Sequence, residues 1–242
     1  MSTITRILSG KDGVGKSTVT ALVGEQLALM GRKVLLIEFE NGLRCLDLYV
    51  GATATKVYDL DDLLNGRCGI DDAVAVSALS GNLSVIFATN SRRHIDPEQF
   101  STLVLALSDS YDHIIIDTDC SEESIDCLSG FAMNSIVIST SDPSGTRDAK
   151  FVCDRLFSQN VPGVKVLFNR VRKEYIADKI VPDLDYSMDM IGVPLIGVVP
   201  ELADIVRCTA KGSLPKNKTL TQKIFKSIAL RLEGESVPLT VI

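Results

Sequence analysis

The residues best suited to chemistry stand near the start of the chain. Gly10-Lys11-Asp12-Gly13-Val14-Gly15-Lys16-Ser17 matches G-x-x-x-x-G-K-[ST], follows directly on an apolar run from Thr3 to Leu8, and opens into a helical pattern. Glycines let backbone N–H groups curl around phosphates, and a helix N-terminus adds partial positive charge. A lysine placed as Lys16 is reaches β and γ oxygens, and a hydroxyl placed as Ser17 is can ligate Mg²⁺. The chemistry implied is binding of a purine nucleoside triphosphate with Mg²⁺, with Gly10, Lys11, Asp12, Gly13, Val14, Gly15, Lys16, Ser17 and Thr18 as the contacting stretch. A chance glycine-rich turn would not bring strand, loop and helix into register. Asp117 ends a second apolar run, and Glu38 and Glu40 end a third. Residues i and i+2 of a strand share a face, so Glu38 and Glu40 would aim at one crevice at the carboxyl end of a sheet. Taken alone, these acids read equally as strand ends that cap turns or face water. Asn169, followed by Arg170, presents a donor and an acceptor that suit the N6/N1 edge of adenine, or it closes an ordinary turn.

Such groups need a rigid frame. Aliphatic runs recur at Thr3 to Leu8, Lys33 to Phe39, Leu83 to Ala88, His113 to Thr118, Ser135 to Thr140, Val164 to Asn169 and Leu195 to Val199. Between them lie segments with helical spacing, such as Val19, Leu22, Val23, Leu27 and Met30, closed by Gly31. Strands apolar at nearly every position are buried on both faces, which predicts an α/β fold: a doubly wound, mostly parallel sheet with helices on each side. No repeat, low-complexity tract or long linker breaks the pattern, so residues 1–242 read as one P-loop ATPase domain, with 233–242 as a flexible C-terminal tail. The segment Thr219 to Leu232, with Leu220, Ile224, Ile228 and Leu232 four apart, reads as a helix packed on the core.

A second lysine, Lys11, follows the first glycine of the loop, and SGKDGVGKST resembles the deviant Walker A motif of the MinD/ParA family. The likeness continues through Gly42-Leu43-Arg44 and Leu46-Asp47-Leu48, where it is nearest the MinD (septum site-determining) branch. It extends to Tyr58-Asp59, the Walker B strand ending at Asp117, Arg147-Asp148, Asn169-Arg170 and Pro200-Glu201. The resemblance implies an ATPase that forms a homodimer face to face around two ATP molecules, with Lys11 reaching the partner's nucleotide. It implies that Asp117 holds a Mg²⁺-bound water or the Ser17 hydroxyl, that Glu38 supports the metal's water shell, and that Glu40 orients the attacking water. By the same likeness Lys11, Lys16, Glu38 and Glu40 are the catalytic set, Ser17, Asp117 and Glu38 the metal set, and Asn169, Arg170 and Pro200 the base-side contacts. Arg147 and Asp148 resemble an interface pair, and read equally as a solvated pair at a helix start. Three departures stand out. The family has Asp at 38 and 40, so each carboxylate here is displaced by about a bond length, which implies slow hydrolysis. Asp12 replaces a usual glycine and would repel polyphosphate unless it turned outward. Thr118 to Glu123 brings Asp119, Glu122 and Glu123 in place of a small, Pro/Gly-containing switch.

Composition sets the outer bounds. The chain has 242 residues, 45% hydrophobic and 23% charged, with 25 Lys and Arg against 31 Asp and Glu, a formal charge of −6. That is enough apolar mass for a sizeable core without staples, and the acidity argues against a nucleic-acid coat. No run approaches the ~20 apolar residues of a membrane span. The N-terminus lacks the pattern of a signal peptide, so a cytoplasmic protein is expected. The last residues, Gly234 to Ile242, hold no cation and include Pro238, so a basic amphipathic membrane anchor like that of MinD is not expected; peripheral membrane association finds no support there. Arg170, Arg172, Lys173, Lys211, Lys216 and Lys218 read as solvated loop charges rather than a DNA surface. Cys120 and Cys127 lack the spacing of a shared iron–sulfur cluster and read as small buried thiols. The function implied is an ATP-hydrolysing dimerisation switch used in spatial regulation, such as placing the cell division site through an unidentified protein regulator. A nucleotide-binding interaction module with little or no hydrolysis is the alternative. A ParA-like DNA partitioning ATPase, or a metabolic ATP-dependent enzyme on the same fold, stands third.

Overall fold

The computed structural model describes residues 2–39, 45–52, 57–88, 95–118, 121, 124, 128, 134–213, 215 and 218–240. In chain order its first half is β1 (Thr3–Leu8), α1 (Lys16–Leu29), β2 (Val34–Glu38), α2 (Leu46–Tyr49), α3 (Leu60–Leu64), α4 (Ile70–Ala73), β3 (Ala75–Val76), β4 (Leu83–Ile86), α5 (Pro97–Leu107) and β5 (His113–Asp117). Then follow β6 (Asn134–Ser139), α6 (Pro143–Ser158), β7 (Val164–Val171), α7 (Lys173–Ala177), α8 (Leu184–Ile191), β8 (Leu195–Pro200), α9 (Ala203–Lys211) and α10 (Leu220–Leu232). Each of the seven apolar runs forms a strand. The two-residue β3 gives no such run, because it is an edge strand with Val76 exposed.

Among the described residues the sheet has the order β3-β4-β2-β5-β1-β6-β7-β8. All pairings are parallel except β3 with β4. Parallel strands need crossover helices on their faces, and alternate residues supply the two faces. Leu36, Ile115, Ile7, Ile136 and Leu167 point to one side, against Val19, Val23 and Leu27 of α1 and Ile224, Phe225 and Ile228 of α10. On the other side, Leu35, Ile37, Ile114 and Ile116 meet Phe100, Val104 and Leu107 of α5. Further along that side, Val137, Val166 and Phe168 meet Val152 and Leu156 of α6. The central strand β1 has β5 on one flank and β6 on the other, so the chain's winding reverses there. A crevice therefore opens beyond the carboxyl ends of β1 and its neighbours.

The C-terminal helix packs as expected. Thr219 caps α10 by accepting from the Gln222 N–H, and Ile224, Phe225, Ile228 and Leu232 are buried. Its apolar stripe is therefore turned to the sheet and α1 rather than left for a membrane. The segment read as a tail is tethered where it is described: the Arg231 guanidinium donates to Val237 O at 2.8 and 3.0 Å, and the Ser227 hydroxyl to Pro238 O at 3.2 Å. Residues 241 and 242 lie outside the described residues. No described helix is long and apolar enough to cross a membrane.

Candidate nucleotide-binding site

The loop from Ser9 to Gly15 leaves β1 at the crevice and turns into α1. Gly15 is the N-cap of α1 with φ 100°, a left-handed geometry that favours glycine, and a Cβ there would meet the Asn169 Nδ2 at 2.4 Å. That Nδ2 donates to Val14 O at 2.7 Å, so Asn169 fastens β7 to the loop. One N–H of the amide is thus engaged by backbone, and Asn169 is not among the residues that line the open cavity.

That cavity, of about 420 Å³, is lined by Asp12, Gly13, Gly15, Lys16, Ser17, Thr18, Cys45, Tyr49 and Arg170. Asp12, Gly13, Gly15, Lys16, Ser17 and Thr18 of the expected stretch thus lie together with Arg170, which holds φ 55° at the carboxyl end of β7, whereas Gly10, Lys11 and Val14 do not line the cavity. Lys16 is 5% exposed, and its Nζ lies 3.2 Å from Asp12 Oδ1. Asp12 keeps this contact with the buried ammonium although most of its own side chain is exposed. Lys11 stands outside the cavity wall, with Nζ 3.6 Å from Asp142 Oδ2. Asp142 caps α6 through the Gly145 N–H at 3.0 Å and accepts from the Thr140 hydroxyl. Burial pushes its carboxyl up, but the Thr140 and Gly145 hydrogen bonds and Lys11 outweigh this and hold it below the usual range.

At the carboxyl end of β5, Asp117 is wholly buried and accepts from the Thr20 hydroxyl of α1 at 3.2 Å. Its register partner on β2 is Glu38. Glu38 does reach the crevice, but its oxygens are engaged by backbone: Oε1 accepts from the N–H groups of Cys45 and Leu46 at 2.8 and 3.2 Å, and Oε2 from Ala88 N–H at 3.4 Å. Burial raises its pKa, and these three amides oppose the rise. Glu38 therefore caps α2 and ties it to β4. This capping use is one that the family likeness did not imply.

Cys45 and Tyr49 were not foreseen as site residues. The Cys45 thiol is hydrogen-bonded to the Ser17 side chain, and burial pushes its pKa up to about 12, so it stays protonated. Burial and the neighbouring Cys45 also raise the Tyr49 pKa, against a hydrogen bond with Thr18. Thr20 and Asp142 were likewise unforeseen, though both touch residues that had been singled out. Pro200 ends β8 opposite Val171 and does not line the cavity. Beside it, Arg172 is paired with Glu201 and sits 5.1 Å from the Tyr175 ring centroid, so this cation is already partnered. Arg147 pairs with its neighbour Asp148 at 3.1 Å. Glu40, Gly42 to Arg44, Asp119, Cys120, Glu122, Glu123 and Cys127 lie outside the described residues.

The arrangement can take a polyphosphate on loop amides and Lys16, with hydroxyl and carboxylate oxygens nearby of the hard-donor type that Mg²⁺ prefers. A model of the CobQ/CobB/MinD/ParA nucleotide binding domain matches residues 6–215. The chain belongs to the MinD/ParA family. As a MinD/ParA chain it is 34% identical to the septum site-determining protein MinD of Synechocystis, over 98% of this chain and 92% of that protein. A chain of the MinC:MinD cell division protein complex of Aquifex aeolicus superposes with a TM-score of 0.91 at 31% identity, covering 99% of both chains. Pyrococcus horikoshii MinD, solved complexed with Mg-ADP, has the same fold with a TM-score of 0.82 and 24% identity, covering 96% of both chains. These likenesses to MinD/ParA proteins run through both halves of the sheet, well beyond the phosphate loop.

Proposed function

We propose that this MinD/ParA chain is a MinD-type ATPase switch: it binds MgATP, forms a homodimer around two nucleotides, and hydrolyses ATP to reset. Its output is placement of the cell division site through a protein regulator, as the MinC:MinD complex of Aquifex aeolicus suggests. The observation that carries the reading is the split between the two loop lysines. Lys16 lies in the wall of its own cavity, whereas Lys11 stands outside that wall at the rim, beside the start of α6. A lysine so placed is suited to the nucleotide of a facing subunit.

Phosphoryl transfer to water needs positive charge on the γ-phosphate and an oriented water, with little covalent work by the protein. Lys16 would hold β and γ oxygens, and the Ser17 hydroxyl and the Asp117 carboxylate would hold Mg²⁺ directly or through water. Mg²⁺ held by these residues would supply neutralisation of the charge that develops in the transfer. Thr20 positions Asp117, and Arg170 and Tyr49 close the cavity's sides. Orientation of the attacking water falls to Glu40. The protein's working compartment in this reading is the cytoplasm.

A second reading, a dimerising module with little hydrolysis, is favoured by one observation: both oxygens of Glu38 are engaged by backbone amides, three in all. Sizing the protein with and without a non-hydrolysable ATP analogue tests the switch. The expected result is a dimer only with analogue and Mg²⁺, lost in Lys11→Ala and Lys16→Ala; a monomer under all conditions would overturn it. Single-turnover hydrolysis in the same buffers then decides between the two readings, since a dimer without a Mg²⁺-dependent rate selects the inert module.

A further inference from the structure

Asp12 is the residue in the cavity wall that a phosphate site has least use for. Its side chain is 72% exposed while that of its partner Lys16 is 5% exposed, so the carboxylate lies over a buried ammonium at the mouth of the cavity. The contact is 3.2 Å, within the range of a charge-assisted hydrogen bond. The left-handed residues of the loop are Gly13 and Gly15, and Asp12 is not among the non-glycine residues with positive φ. Asp12 therefore occupies the place where a terminal phosphate oxygen would meet Lys16.

We propose that Asp12 is a built-in stand-in for a phosphate oxygen on Lys16, and that this makes the loop select metal-complexed nucleoside triphosphate over free phosphoanions. The inference rests on the nucleotide reading above and names a specificity residue within that site. An incoming polyphosphate has to displace the carboxylate from Lys16, and the carboxylate then remains beside it as a like charge. Free ATP feels that repulsion in full. The Mg²⁺ complex carries much less net negative charge and feels correspondingly less. Lys11 gives no local relief, because Asp142 already holds it. Binding thus exchanges one anion on Lys16 for another.

The test is a binding titration, so it does not depend on turnover. A fluorescent ATP analogue is titrated into wild type, Asp12→Asn and Asp12→Gly at fixed ionic strength, once with EDTA and once with excess Mg²⁺, with inorganic pyrophosphate as competitor. Asn removes the charge at near-constant shape, and Gly removes the side chain, so agreement between them excludes a local packing artefact. Both variants are expected to bind the metal-free analogue and pyrophosphate about fivefold more tightly than wild type, the scale of a partly exposed pair lost plus a repulsion relieved. The gain from adding Mg²⁺ is then smaller in the variants than in wild type. Equal affinities of wild type and variants in both buffers would overturn the assignment of Asp12 while leaving the nucleotide site standing. Failure of wild type to bind in either buffer would overturn the nucleotide reading and this inference with it.

Discussion

At the scale of single residues, the helix that follows the phosphate loop carries an acid in an unusual place. Glu25 in α1 is 1% exposed, and neither of its carboxylate oxygens has a hydrogen-bond partner among the described residues. Burial pushes its pKa up from 4.5 to about 8, so the folded protein holds it neutral at pH 7. Its neighbour Cys208 on α9 is held up at about 11, first by burial and then by Asp204 and Glu25, so it stands beside Glu25 as a neutral thiol. A folded pKa above the unfolded one means that the folded state keeps a proton the unfolded chain gives up. The associated stability is complete below pH 4.5 and is lost as pH rises through about 8. Glu25→Gln keeps the shape and removes the titration. Urea midpoints measured from pH 5 to 9 should therefore fall less for Glu25→Gln than for wild type, with the variant the more stable at the alkaline end. Glu38, also raised by burial, adds the same slope to both proteins, so the difference between the curves isolates Glu25. Parallel curves would show that Glu25 finds a partner in solution.

At the scale of elements, the short helix α2 owes its position to a side chain from β2. A four-residue helix has no stability of its own, and its N-cap, Cys45, makes no side-chain cap bond. Glu38 supplies the missing acceptor for the Cys45 and Leu46 amides, and α2 in turn brings Cys45 and Tyr49 to the nucleotide cavity. Glu38→Ala should leave buried amides unsatisfied, at a cost of about 1–3 kcal/mol. Hydrogen exchange at Cys45 and Leu46 should accelerate while the α1 and α10 amides stay protected. Unchanged exchange at these two positions would show that α2 is held by packing alone. The same elements mark how far the sequence could be read. The parallel strands and α10 were legible because their apolar periodicity reports burial directly, and the loop because its residue types are dictated by phosphate. The capping by Glu38 was not legible: its acceptor role depends on the tertiary paths that bring residues 45, 46 and 88 to the end of β2. Cys45 and Tyr49 were missed because a one-turn helix leaves no period to read. Asn169 showed the same limit, since an amide suited to a base is equally suited to the Val14 carbonyl, and only folding decides between them.

At the scale of the whole molecule, the acidity that argues against a nucleic-acid coat becomes a property of assembly. Each chain carries −6, and the proposed dimer brings two such bodies together with a triphosphate on each. Asp12 and Asp142 in part cancel the two loop lysines, so the net charge of −6 on each chain sets the long-range field between copies, and that field is repulsive. Repulsion between whole molecules acts over a Debye length, about 30 Å at 0.01 M salt and about 8 Å at 0.15 M. The contact of Lys11 with a facing phosphate would act over a few ångströms, in a site partly closed to ions, and is screened less. Dimerisation in saturating Mg²⁺ and non-hydrolysable ATP analogue should therefore strengthen as salt rises across that range, chiefly through a faster association rate. Lys11→Ala should weaken the dimer at every salt concentration yet keep the upward trend, because the variant removes the local attraction and leaves the long-range repulsion. Sedimentation or light scattering at several salt concentrations reads both effects. A dimer that weakens steadily with salt would mean that short-range pairing across the interface outweighs the net charge, and that the acidic surface lies away from the face through which the two copies meet.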